Sequence, residues 1–187
     1  MGSGAERRLY WGAWSAVLVL DIFTKYLAEE HLLRSAGRSV FGDWFQLRLV
    51  YNPGAAFGLD LGPMSRWIFM VIAVVAVVLL YRYHRSAEQG DWFRQLALGL
   101  VTGGAVGNLV DRIRSHEGVV DFLDLGVGAW RWPTFNVADM AVSCGAIALA
   151  ISLWREDARR DLQQAVGRPL PPERTPPEPA SAVRSEE

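Results

Sequence analysis

The sequence predicts an all-α integral membrane protein: four transmembrane helices with a small β-sheet at the membrane surface. Three observations lead there. The apolar residues, 51% of a 187-residue chain, are gathered into four long blocks. An alternating apolar and polar stretch lies between the first two blocks, and ionisable residues collect at one set of block ends. Mean hydropathy is only +0.12 because a charged, proline-rich C-terminus dilutes the blocks.

Each block approaches the ~20 helical residues that cross a hydrocarbon core. Residues 1–8 form the N-terminus, and the first span is expected at 9–27. Arg7 and Arg8 precede it as in a secretory signal, but no small-residue cleavage site follows before Asp21 and Lys25, so it reads as a retained anchor. The second span, 67–83, has an unbroken apolar run from Ile68 to Tyr81, with Pro63 just upstream where a helix tolerates it. Trp67 and Tyr83 suit the two interfaces. The third, 93–110, carries Gly99, Gly103 and Gly107 at every fourth position with Gly104 beside them, a face that another helix can approach closely. The fourth is expected at 137–154, which completes a four-span domain over 9–160.

The surface sheet is expected near 39–58, where Phe45, Leu47, Leu49 and Tyr51 alternate with Gln46 and Arg48 before the turn signal Asn52-Pro53-Gly54. A second mixed stretch, Gly118 to Pro133, separates the third and fourth spans and holds Trp130 and Trp132, which favour the interface. The tail, 161–187, holds six of the nine prolines and many charges; it is expected to be disordered. Arginines are almost evenly divided between the two sides, with a slight excess on the side of the termini that favours cytoplasmic termini.

Several function classes fall away. A net charge of −1 without a long basic run supplies no footprint for nucleic acid. One cysteine, Cys144, permits no internal disulfide and no cysteine-based metal cluster. His31, His84 and His116 lack metal-ligand spacing, and no Gly-x-Ser-x-Gly elbow occurs. Zinc hydrolysis is thereby disfavoured.

Ionisable groups at span ends need an explanation, since a central Asp or Lys costs about 2.5–3.5 kcal/mol on insertion scales. Asp21 and Lys25 are four apart and can pair on one helix face, a structural role as readily as a catalytic one. Asn108, Asp111 and Arg112 end the third span and can face one neighbour. Arg112 suits a peptide carbonyl or a carboxylate, or simply anchors the helix end. Asp121 lies between Val119-Val120 and Phe122-Leu123, an apolar setting that raises a carboxyl pKa, and Asp124 is its rival three residues on. Asp139 opens the fourth span behind Asn136, where capping accounts for it equally well. Topology brings the end of span one, the end of span three and the start of span four to one membrane face. Two carboxylates meeting there would share a proton while one activates water, which is aspartic-protease chemistry. On these grounds Asp111, Asp121, Asp124 and Asp139 all stay open.

Five motifs then resemble, in order, those of the bacterial lipoprotein signal peptidases, also called signal peptidase II. They are Asp21-Ile22-Phe23-Thr24-Lys25, Asn52-Pro53-Gly54-Ala55-Ala56-Phe57-Gly58, Gly107-Asn108-Leu109-Val110-Asp111-Arg112, Val119-Val120-Asp121-Phe122 and Phe135-Asn136-Val137-Ala138-Asp139. The resemblance implies an intramembrane aspartic endopeptidase. It would cleave diacylglyceryl-modified prolipoproteins before the lipidated cysteine, without cofactor, with Asp121 and Asp139 as the catalytic pair. Asn52, Gly54, Asn108, Arg112 and Asn136 become candidates for holding substrate, and Asp21, Lys25 and Asp111 for structural support. It also implies the bacterial inner membrane, cytoplasmic termini, and a sheet and active site at the outer leaflet. The chain is expected to work as a monomer among membrane lipid. A proton-coupled transporter is the alternative, yet it would need polar residues along whole helices, and the second span has none in its apolar run. A non-catalytic assembly protein binding through the glycine face would leave the charged cluster unexplained.

Overall fold

The structure, a computed structural model, describes residues 4–32, 37–54, 62–86 and 91–166. It holds four long helices, α1 (Gly4–His31), α2 (Ser65–Ser86), α3 (Trp92–Arg114) and α4 (Val137–Val166), and four strands, β1 (Arg38–Phe41), β2 (Phe45–Asn52), β3 (Val119–Val127) and β4 (Trp130–Arg131). The chain forms two compact units, 1–153 and 154–187. All of the architecture below belongs to the first. Of the second, the described part is the final helical turns of α4, where Arg160 pairs with Glu156 at 2.5 Å. Helix therefore continues to Val166, and residues 167–187 lie outside the described residues.

Among the described residues, three helices are long and apolar enough to cross a membrane: α2, α3 and the Val137–Gln164 part of α4. The N-terminal helix α1 is not among them. Its length suffices, at 28 residues, but Asp21, Lys25, Glu29 and Glu30 lower its mean hydropathy. Its exposed surface is nevertheless apolar along Val19, Leu20, Ile22, Phe23, Tyr26 and Leu27.

The glycine face of α3 sets how closely the helices pack. A Cβ built on Gly99 would lie 2.6 Å from Tyr10 O, and one on Gly103 2.9 Å from Trp14 O, so α1 seats its backbone directly on this stripe. The stripe accordingly does the packing work its spacing predicts. Around the corner, Gly104 faces the Ala138 carbonyl of α4, and on α4 itself Gly145 stands 2.9 Å from Ala97 O by the same measure. At the α3 start, Asp91 caps the helix by accepting the Arg94 N–H at 2.8 Å.

The sheet is antiparallel in the order β1-β2-β3-β4. The expected surface sheet supplies β1 and β2; the Gly118–Pro133 stretch supplies the rest. β2 pairs with β3 in a register that sets Val50 opposite Asp121 and Asn52 opposite Val119, with an irregularity between Leu47 and Val50. Gly118, at φ +108°, starts β3 where a Cβ would strike the Asn52 carbonyl, so both the backbone angle and the close approach require glycine. Ala28 of α1, Leu49 of β2, and Val120 and Phe122 of β3 form the small core that fixes sheet to helix. Residues 55–58, the far part of the sheet region and of the Asn52–Gly58 motif, lie outside the described residues.

Candidate active site

The site lies where β3, the β2 end, the α3 end and the α4 start meet. One bridge makes the junction. Leu123 pairs with Phe135, and the Phe135 carbonyl accepts the N–H groups of Phe122 and Leu123 at 3.0 and 2.8 Å. This lays Asn136, the residue before α4, against Asp121.

Asn136 is fully buried and holds both aspartates. Its Nδ2 donates to Asp121 Oδ1 at 2.7 Å, and its backbone N–H donates to Asp139 Oδ2 at 3.2 Å. In return its Oδ1 accepts the Asp139 N–H at 2.9 Å. The last two bonds are a reciprocal capping box at the α4 N-terminus. Asp139 thus caps the helix and faces Asp121 through Asn136, so the two readings of this residue are not exclusive.

Each carboxylate has a second donor. Asn52 Nδ2 reaches Asp121 Oδ2 at 3.2 Å, and Asn108 Nδ2 reaches Asp139 Oδ1 at 2.8 Å. Burial pushes the Asp121 carboxyl up to about 7, and the Asp139 charge pushes the same way; the Asn52 and Asn136 amides and the Lys25 charge oppose them. Asp121 is therefore poised to hold a proton near neutrality.

The other candidates fall into two groups. Gly54 and Arg112 form a strut at the rim: Arg112 Nη2 donates to Gly54 O at 3.1 Å and Nη1 to Asn108 O at 3.1 Å. Asn52 Oδ1 accepts the Gly54 N–H at 3.0 Å, closing the turn. Arg112 Nε is buried without a hydrogen-bond partner among the described residues.

Asp21, Lys25 and Asp111 form a buried ionic cluster behind the pair. Lys25 Nζ lies 2.7 Å from Asp21 Oδ2, 2.8 Å from Asp111 Oδ2 and 3.0 Å from Asn108 Oδ1. Asp21 Oδ1 also accepts the Ala138 N–H at 2.9 Å, so it ties α1 to the first turn of α4. Asp111 Oδ2 accepts the Val120 N–H at 3.2 Å and so ties α3 to β3. Gly107 leaves room for this cluster, since its Cβ would lie 2.5 Å from Asp21 Oδ2.

Asp124 stands elsewhere. Its Oδ1 accepts Arg131 Nε at 2.7 Å, an ion pair within the β3–β4 ribbon. Sequence reasoning did not single out Val120, whose N–H serves Asp111 and whose carbonyl accepts Asn136 Nδ2 at 3.1 Å. The β-branched pair Val119-Val120 is a strand signal, read from the sequence only as apolar surroundings for Asp121; the structure places both in β3.

These features define a helical membrane protein with a buried, enzyme-like polar centre at a helix–sheet junction. Comparison with known proteins makes the class specific. Residues 13–155 match the family model described as signal peptidase (SPase) II. The lipoprotein signal peptidase of Maridesulfovibrio salexigens is 40% identical over 141 residues, 74% of this chain and 90% of that protein. That of Cupriavidus taiwanensis is 41% identical over 160 residues, 82% of this chain and 87% of that protein. Among solved structures, a bacterial membrane enzyme determined in meso at 2.3 Å superposes with a TM-score of 0.72 at 26% identity, covering 84% of this chain and 92% of that one. A second, determined in meso at 1.9 Å, gives 0.68 at 27% identity, covering 81% and 93%. The chain belongs to the signal peptidase II family, membrane proteases of lipoprotein processing.

Proposed function

We propose that this chain is an aspartic endopeptidase that removes the signal peptide from diacylglyceryl-modified prolipoproteins, hydrolysing the peptide bond before the lipidated cysteine. The observation that carries the proposal is Asn136, which donates its side-chain amide to Asp121 at 2.7 Å and its backbone N–H to Asp139 at 3.2 Å. One residue thereby bonds to both carboxylates, Asp121 buried and Asp139 half-buried.

In this reading Asp121 keeps the shared proton up to about pH 7, and Asp139 is the base. Asp139 takes a proton from water as the oxygen attacks the scissile carbonyl, while the Asp121 carboxylic acid donates a hydrogen bond to the carbonyl oxygen. Collapse of the tetrahedral intermediate breaks the C–N bond, and the proton held by Asp139 passes to the amine of the lipidated cysteine. Asn52, Asn108 and Asn136 aim the aspartates and stabilise their charge. Gly54 and Arg112, joined at the rim, are proposed to receive the substrate backbone.

We further take α1 as a fourth span. Its charges pair internally at Asp21 and Lys25 and do not meet lipid, so averaged hydropathy understates its fitness for the membrane. Four spans put both termini on one side of the membrane; we take that side as the cytoplasm, the aspartate pair as lying near the outer leaflet of the inner membrane, and the chain as a monomer.

The test is cleavage of a lipidated prolipoprotein by purified protein in detergent. Asp121→Asn and Asp139→Asn should each abolish turnover, while Asp124→Asn should retain it. Near-normal cleavage by either of the first two, in a folded protein, would sink the assignment.

A further inference from the structure

The orientation of Asn108 is not free, and the group that fixes it stands outside the aspartate pair. An ammonium has three hydrogens and no lone pair, so it can touch an amide only at its oxygen. Lys25, 1% exposed, donates to Asn108 Oδ1 at 3.0 Å and forms ion pairs with Asp21 Oδ2 at 2.7 Å and Asp111 Oδ2 at 2.8 Å. Asn136 Nδ2 points at the same Asn108 oxygen from 3.1 Å. Both neighbours demand an oxygen there, which leaves Asn108 Nδ2 to face Asp139 Oδ1 at 2.8 Å. With the amide flipped, an NH2 would confront the ammonium and a carbonyl oxygen would confront the carboxylate. Each is a repulsive contact in a buried setting.

We infer that Lys25 is a positioning residue for the reaction: by fixing the polarity of the Asn108 amide it keeps an N–H donor on Asp139. The inference rests on the aspartate-pair reading above. Among the described residues Lys25 makes no hydrogen bond or ion pair with either of those aspartates; its charge reaches Asp121 through space, and its directional effect on Asp139 runs through Asn108. An amide left free to flip would spend part of its time repelling the Asp139 carboxylate, lowering the fraction of enzyme with that group correctly held. Substrate binding at the rim would be little affected.

The experiment compares two double variants that carry the same charge. Lys25→Met alone would take the shared ammonium from Asp21 and Asp111, the latter keeping only Arg114 at 3.5 Å, so Asp111→Asn is introduced with it to lower the uncompensated charge and serves by itself as the reference. Lys25→Gln/Asp111→Asn retains a donor that can reach Asn108 Oδ1; Lys25→Met/Asp111→Asn does not. With a lipidated prolipoprotein in detergent, the Met variant should lose about tenfold or more in kcat, with KM within about twofold of the reference. The Gln variant should recover most of that loss. Equal kcat for the Met and Gln variants, at equal melting temperature, would overturn the inference.

A second substitution keeps it falsifiable if the Met variant does not fold. Asn108→Asp preserves the partner of Lys25 while removing the donor to Asp139, and should lower kcat as much as the Met exchange is expected to. Unchanged kcat in Asn108→Asp overturns the positioning role. Failure of the aspartate-pair reading looks different: Asp139→Asn by itself would then retain activity, whatever Lys25 does.

Discussion

Replacing Asp121 by Asn should abolish cleavage and also change stability, with a dependence on pH that follows from burial. The carboxyl is raised to about 7 in the folded protein, against ~3.9 in an unfolded chain. Between those values the folded state holds a proton that the unfolded state has released. The carboxyl therefore costs nothing below about pH 4, costs progressively more as pH rises, and levels off above about pH 7. Roughly three pH steps at about 1.4 kcal/mol each bring the full cost to about 4 kcal/mol. An amide does not ionise and escapes it. The amide has its own penalty, because Asn136 and Asn52 each aim an N–H at an oxygen of Asp121 and an Asn side chain offers only one oxygen. A buried donor left unpaired costs about 1–3 kcal/mol at any pH. The variant should thus be less stable than wild type near pH 4 and more stable near pH 8, with a change between them of about 4 kcal/mol. Paired denaturant or thermal unfolding in detergent at the two pH values measures it, and the constant clash drops out of the difference. A variant-to-wild-type difference that is the same at pH 4 and pH 8 would refute the burial argument and the protonated role of Asp121 with it.

The remaining predictions concern rates and packing. The pH profile of kcat/KM should fall above about pH 7, where Asp121 loses its proton; a monotonic rise into alkaline pH would point to another activating group. Gly107→Ala should destabilise by about 1–3 kcal/mol and lose activity together with stability, because its Cβ would stand 2.5 Å from Asp21 Oδ2; melting temperature and turnover in detergent check both. Asp124→Asn should retain kcat within about twofold yet lower the melting temperature, since it removes the closer charge partner of Arg131, 2.7 Å away, and leaves only Asp43 at 3.6 Å, at about 1–3 kcal/mol. Asn52→Leu should raise the pH at which activity falls, because the amide it removes favours the charged form of Asp121; an unchanged limb would show that Asn52 does not act on that carboxyl.

The sequence by itself determined the helices and their contact face. Long apolar runs can only be satisfied in a hydrocarbon-like setting, and glycines four apart leave a bare stripe wherever the chain becomes helical, so Gly99, Gly103 and Gly107 pointed to close packing without coordinates. Capping of α4 by Asn136 and Asp139 was legible for the same reason, being local. What only the tertiary structure decided is which aspartates meet. The choice among Asp111, Asp121, Asp124 and Asp139 turns on non-local partners: Lys25 takes Asp111, Arg131 takes Asp124, and the Leu123–Phe135 bridge brings Asp121 to Asn136. Spacing cannot reveal these, because a strand partner's register and a buried ion pair across 86 residues of chain have no local signature. The mean hydropathy of α1 likewise counts Asp21 and Lys25 as if they were exposed, although both are buried once their partners are in place.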